Sequence, residues 1–271
     1  MNSDRIYSVL VPLISPFVAR QGQRRQQKFT QLPPLVDRVV FLGDSITEWG
    51  WWEEFFPDLP VVNRGIGGNT TTDVLNRLDT AIVQPRAVSL MIGTNDLHGP
   101  RSTRDITSIA ERTHQIVRRI RAEAPESRIL LNSVLPRTPL WAPRIQELNR
   151  LYRTIADEED IRFVDLWPSY ADDQGGLLKA HTSDNLHLTI PGYQPWVAIL
   201  RSLLVPSAAS TPAGRRAICG RADHRAKTSR VPLQVATHGS LNTPTNWPSM
   251  TLTAARNLVS PVSRSAMNLP T

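Results

Sequence analysis

Between Arg38 and Val205 short, unbroken apolar runs alternate with longer amphipathic stretches. The first run, Val39-Val40-Phe41-Leu42, is closed by Gly43. A run with no polar alternation suits a strand covered on both faces, because either pleat face must then be apolar. Four further runs, at 61–62, 87–92, 129–135 and 161–164, read the same way. Between them the period changes. Ile106, Ile109, Thr113, Ile116, Val117 and Ile120 recur at spacings of three and four, the pattern of a helix with one buried stripe. Ile145, Leu148, Leu151, Tyr152 and Ile155 form a second such set, and Trp196, Val197, Leu200, Leu203 and Leu204, after Pro191-Gly192, a third. Strands alternating with helices imply a parallel sheet with a helical layer on each face. The expectation is one doubly wound α/β domain over 36–205, with a central five-stranded parallel sheet. Arg112, Arg118, Arg119 and Arg121, interleaved in the long helix, read as a solvated face rather than a phosphate site.

The flanks read differently. Residues 1–35 form an N-terminal extension. Its apolar stretch over 7–19 faintly resembles a signal peptide but is interrupted by Pro12 and Pro16 and is too short to span a bilayer. Packing on the domain or weak membrane-surface contact is expected instead, and 21–31, polar and basic, reads as a linker or exposed turn. The compartment is read as cytoplasmic, with secretion as the alternative. From 206 to 271 the periodicity stops: seven prolines, eight serines and eight threonines leave too little apolar surface to offset ordering entropy, so this basic tail reads as disordered. The tail also accounts for the net charge of +7, since it holds eight basic residues against the single acid Asp223. The domain itself is formally neutral. Its charge gives no reason to expect nucleic acid or another anionic partner, and only the tail could make weak, salt-sensitive contacts. A single cysteine, Cys219, rules out an internal disulfide framework and any multi-cysteine metal site.

In an open parallel sheet, ligands bind beyond the carboxyl ends of the strands. Gly43-Asp44-Ser45 follows the first run, Asn63-Arg64-Gly65-Ile66-Gly67-Gly68-Asn69-Thr70 the second and Gly93-Thr94-Asn95-Asp96 the third, while Asp184-Asn185-Leu186-His187 stands before the last helix. The first, second and last also have a plain structural reading: a helix cap, a tight turn or phosphate loop, a capped turn or half a metal site. Together they supply a set of complementary groups. A serine hydroxyl needs a base, histidine is the usual one near neutral pH, and a carboxylate three residues away can orient that histidine. The N–H groups of Ser45 and Gly68 and the Asn95 amide are donors suited to developing negative charge. Asp44 reads as a backbone-bonding loop residue rather than an acid. His98 reads as a surface loop residue that could also line the pocket. Of Trp49, Trp51, Trp52, Phe55 and Phe56, most read as packing and some as pocket lining.

These four blocks resemble the SGNH (GDSL) hydrolase superfamily over roughly residues 38–204. The second block, with Asp73-Val74-Leu75-Asn76-Arg77-Leu78 after it, is similar to the catalytic subunits of the platelet-activating-factor acetylhydrolases. Asp96 departs from those subunits, which carry a second Asn there. The resemblance implies a flavodoxin-like three-layer α/β/α sandwich. It assigns Ser45 as nucleophile, Asp184 and His187 as its triad partners, and Ser45, Gly68 and Asn95 as the oxyanion hole, with Gly68 rather than Gly67 from alignment on Asn63. It implies a serine esterase cleaving short-chain, foremost acetyl, oxygen esters of a small-molecule substrate, with no metal and no cofactor. Thioesterase, lysophospholipase or acyltransferase action uses the same triad. A non-catalytic carbohydrate- or lipid-binding module, or nucleotide binding at 65–68, are the readings from other classes.

Overall fold

The computed structural model describes residues 17, 19–98 and 105–205. The proposed tail at 206–271, with Cys219, and most of the apolar stretch at 7–19 lie outside them. All the described residues fall in one compact unit.

The chain enters through helix α1 over 19–31. It then passes β1 (Val39–Gly43), α2 (Ser45–Glu48), α3 (Trp52–Phe55), β2 (Val61–Gly65), α4 (Thr71–Asn76), α5 (Leu78–Ala81) and β3 (Ala87–Met91). After these come α6 (Ile106–Glu123), β4 (Arg128–Asn132), α7 (Ala142–Glu158), β5 (Arg162–Val164), α8 (Trp167–Tyr170) and α9 (Ile190–Leu204). The five strands form one parallel sheet in the order β2-β1-β3-β4-β5, the flavodoxin-like order. Each expected strand and each of the three long helices is present.

β1 shows why its sequence lacks alternation. Val40 and Leu42 face a core built with Val74, Leu78, Ile116 and Tyr152 from α4 to α7. Val39 and Phe41 face the opposite core with Trp52, Tyr193, Trp196 and Leu200 from α3 and α9. Both faces are buried, so every position must be apolar.

Three local features differ from the sequence expectation. The 21–31 segment is helical, with Gly22, Arg25 and Phe29 turned to the domain, rather than a linker. The segment after Ser45, with no element assigned from the sequence, holds two short helices: α2 stops before Gly50, and the Thr47, Glu48 and Gly50 carbonyls lie 2.9–3.2 Å from the Asn63 amide nitrogen. The α6 arginines are not all solvated. Arg112 reaches inward, its Nε donating to Thr71 Oγ1 at 2.7 Å and its Nη2 lying 3.3 Å from Asp96.

Candidate active site

Ser45 stands at the first position of α2, directly beyond the end of β1. Asp44 caps that helix by accepting the Ile46 N–H at 2.9 Å, the backbone-bonding role its sequence suggested. The turn is braced from three sides. Trp52 Nε1 donates to the Thr47 carbonyl at 2.8 Å, Tyr193 Oη to the Ile46 carbonyl at 2.7 Å, and Arg77 Nη2 to the Gly43 carbonyl at 3.0 Å. A serine held this rigidly presents its hydroxyl in one place, which nucleophilic chemistry requires.

Facing it is the loop before α9. Ser45 Oγ lies 3.0 Å from His187 Nε2, and His187 Nδ1 lies 2.7 Å from Asp184 Oδ2. The other carboxylate oxygen accepts the backbone N–H groups of His187 at 2.8 Å and Leu186 at 2.9 Å. Burial pushes the Asp184 carboxyl up, but the His187 ring, these N–H groups and the imidazole's charge outweigh it and hold the group below its ordinary value. Asp184 is therefore an anion wherever His187 could act as a base. Thr182 ties the loop together: its hydroxyl donates to the His187 carbonyl at 2.7 Å and accepts from the Asn185 N–H at 3.0 Å. The indole of Trp49 lies against the His187 ring with centroids 4.0 Å apart and planes 32° apart, while half of its surface stays exposed.

The glycine-rich loop after β2 passes beside the serine. A Cβ on Gly67 would sit 3.7 Å from Ser45 Cβ, and one on Gly65 would strike the Glu48 backbone nitrogen at 2.2 Å, so the strand end must be glycine to come so close. The Gly67 N–H is already used, donating to Glu48 Oε2 at 2.6 Å. The Gly68 N–H donates to no acceptor among the described residues, and Gly68 has φ +78°, a left-handed conformation that favours glycine. Asn95 joins the same loop through its Nδ2, which donates to the Asn69 carbonyl at 2.9 Å. Arg77, almost wholly buried, bridges the first two blocks by also donating from Nε to Asn69 Oδ1 at 2.6 Å. Burial lowers its guanidinium to about 10, still a cation at neutral pH.

Asp96 is buried. It accepts from the Thr71 N–H at 3.0 Å and the Thr71 hydroxyl at 2.5 Å, clamping the third block to the start of α4. Arg112, Arg77 and Glu48 are contributors that periodicity could not single out, since charges within helical stretches read as surface. His98 is exposed, its ring 4.4 Å from that of Trp141 and its Nε2 against Arg137. Of the aromatic cluster, Trp52 and Phe56 are core, whereas Trp51 is exposed.

Comparison with known proteins identifies relatives of the chain. The profile of the GDSL-like Lipase/Acylhydrolase family matches residues 41–194, more than half of the chain. The platelet-activating factor acetylhydrolase IB subunit alpha1 of Pongo abelii is 32% identical over 178 residues, covering 62% of this chain and 75% of that protein. A GDSL-like lipase structure from Bacteroides thetaiotaomicron superposes with a TM-score of 0.59 at 25% identity, covering 67% of this chain and 96% of that one. A mutant acetylxylan esterase from Geobacillus stearothermophilus, at 20% identity and a TM-score of 0.53, covering 61% of this chain and 93% of that one, shares the fold.

Proposed function

Since the chain belongs to the GDSL-like lipase/acylhydrolase family and is an ester-bond hydrolase, we infer that it is a serine esterase releasing a short acyl group, acetyl foremost, from an oxygen ester. The observation that carries this reading is the continuous path Asp184–His187–Ser45, at 2.7 and 3.0 Å. With Nδ1–H given to Asp184, Nε2 is free to accept the Ser45 proton. Ser45 Oγ then bonds to the substrate carbonyl carbon, and the carbonyl oxygen takes the negative charge. The N–H groups of Ser45 and Gly68 and the Asn95 amide are the donors assigned to receive it, each typically worth about 10²–10³ in turnover. Collapse of this intermediate breaks the ester C–O bond, and the imidazolium returns its proton to the departing alkoxide. Water, deprotonated by the same nitrogen, attacks the acyl-serine, releases the acid and restores Ser45.

The acetyl preference is supported by the acetylhydrolase relative, whose name specifies that acyl group. The test is Ser45→Ala. Hydrolysis of p-nitrophenyl acetate should fall by at least about 10⁴-fold, and labelling by a fluorophosphonate should disappear, with an unchanged circular dichroism spectrum. Equal hydrolysis by the two purified proteins would refute the assignment. A panel of acetyl, butyryl and longer esters and thioesters reads acyl length; faster turnover of the long chains would overturn the acetyl preference.

A further inference from the structure

Helix α1 lies outside the strand–helix alternation, yet it touches the catalytic loop. Arg25 Nε donates to the Gly65 carbonyl at 2.7 Å and stands 3.3 Å from Glu48 Oε1. The other Glu48 oxygen holds the Gly67 N–H at 2.6 Å. One guanidinium therefore grips both ends of the Gly65–Ile66–Gly67 segment, directly at one end and through a carboxylate at the other. The helix is seated there by two further contacts. Gly22 faces Ile66 so closely that a Cβ would lie 3.0 Å from Ile66 Cγ2. The Phe29 ring lies against both Arg25 and Arg64, at 5.2 and 4.5 Å from their guanidinium carbons.

We propose that α1 is part of the esterase centre, and that Arg25 acts through Glu48 as a positioning residue for the oxyanion-hole loop. Glu48 lies one turn after the nucleophile, so its carboxylate references the loop to Ser45 itself. By occupying the Gly67 N–H, it leaves Gly68 as the glycine of this loop whose N–H can meet the oxyanion. Arg25 neutralises and orients that carboxylate, which otherwise could turn to solvent, since the pair is about one-quarter to one-third exposed. The substrate's ground state gains little from this arrangement. The gain comes when charge develops on the oxygen, so the effect belongs to kcat rather than KM.

The proposal rests on the serine-esterase reading, and its test separates the two. In the full chain, Arg25→Ala should lower kcat for p-nitrophenyl acetate about tenfold with KM within about twofold, the signature of a weakened transition-state contact. Arg25→Lys, which keeps the charge, should recover part of the loss, and Arg24→Ala on the exposed side of the same helix should match the parent. Glu48→Ala should cost more, about 10²-fold, and Arg25→Ala added to it should cost clearly less than it does alone, because the route through Glu48 is already lost and only the direct contact with the Gly65 carbonyl remains. Independently of turnover, hydrogen exchange of the Gly67 amide should quicken about tenfold in Arg25→Ala. Parental kcat and parental Gly67 exchange in Arg25→Ala, or losses that multiply in the double variant, would overturn the proposal. A parent that neither hydrolyses the ester nor takes the fluorophosphonate would overturn the esterase reading, while the exchange comparison still decides whether α1 holds the loop.

Discussion

Asp44, one residue before Ser45, shows how the fold changes a side chain's chemistry. Burial pushes its carboxyl up to about 7 against the pull of the Ile46 N–H; Asp96 pushes the same way and Arg137 opposes it. One carboxyl oxygen accepts the Ile46 N–H, while the other is buried without a hydrogen-bond partner among the described residues. The unfolded chain releases this proton near pH 4. Between about pH 4 and 7 the native state therefore holds more protons than the unfolded state, and Asp44 lowers stability as pH rises through that window. Asp44→Asn keeps the capping oxygen and removes the charge. Urea unfolding should show the variant level with the parent at pH 4 and more stable by roughly 2–4 kcal/mol at pH 8.5; a difference independent of pH would refute buried charge as the cause. The opposite balance holds at Asp184, where hydrogen bonds overcome burial. Trp49 is a third case: classed with its neighbours as an aromatic, it packs on the His187 ring with half its surface in solvent.

Among the elements, α3 is four residues long and stands on one side chain. Trp52 stacks on Phe41 of β1 at 3.9 Å and meets Tyr193 and Trp196 of α9 edge-on at 5.7 and 4.9 Å. Its indole N–H also holds the Thr47 carbonyl in the turn that carries Ser45. Trp52→Ala should thus lower unfolding free energy by about 3–5 kcal/mol, the cost of a large aromatic cavity, and reduce turnover as well. Retained kcat in a destabilised but folded variant would show that Tyr193, Arg77 and Asn63 suffice to hold the turn. Elements as short as α3, α4 and α5 escape a periodicity reading because fewer than two turns give no repeat to count. Helix α1 escapes for another reason. Its Gln- and Arg-rich composition resembles a linker, and the residues that dock it, Gly22, Arg25 and Phe29, become a face only once the chain is coiled.

At the scale of the molecule, the described core is closed by α9. Leu200 and Leu204 are buried, and Arg128 Nη1 donates to the Leu203 carbonyl at 2.9 Å, satisfying one of the helix's last acceptors. A chain ending at Val205 should accordingly keep its melting temperature within about 2 °C and its kcat/KM within about twofold, as followed by thermal denaturation and ester hydrolysis. A large loss of either would mean that 206–271 contributes to the fold or the site. The same chain loses the entire formal excess of positive charge without losing a residue that this mechanism uses. The sheet, its layers and the four polar blocks were all legible beforehand, because burial on both faces writes itself into a strand as an unbroken apolar run and the ligand edge then follows from strand polarity. Ser45, Asp184 and His187 could be named for the same reason: each stands beside an element whose signal is local. What the tertiary structure decided is which charged residues leave the surface. Arg25 meets a carbonyl 40 positions away, Arg77 one 34 away and Arg112 a hydroxyl 41 away. No local period encodes such partners, since a charge is stabilised in the interior only by the particular acceptors that packing brings to it.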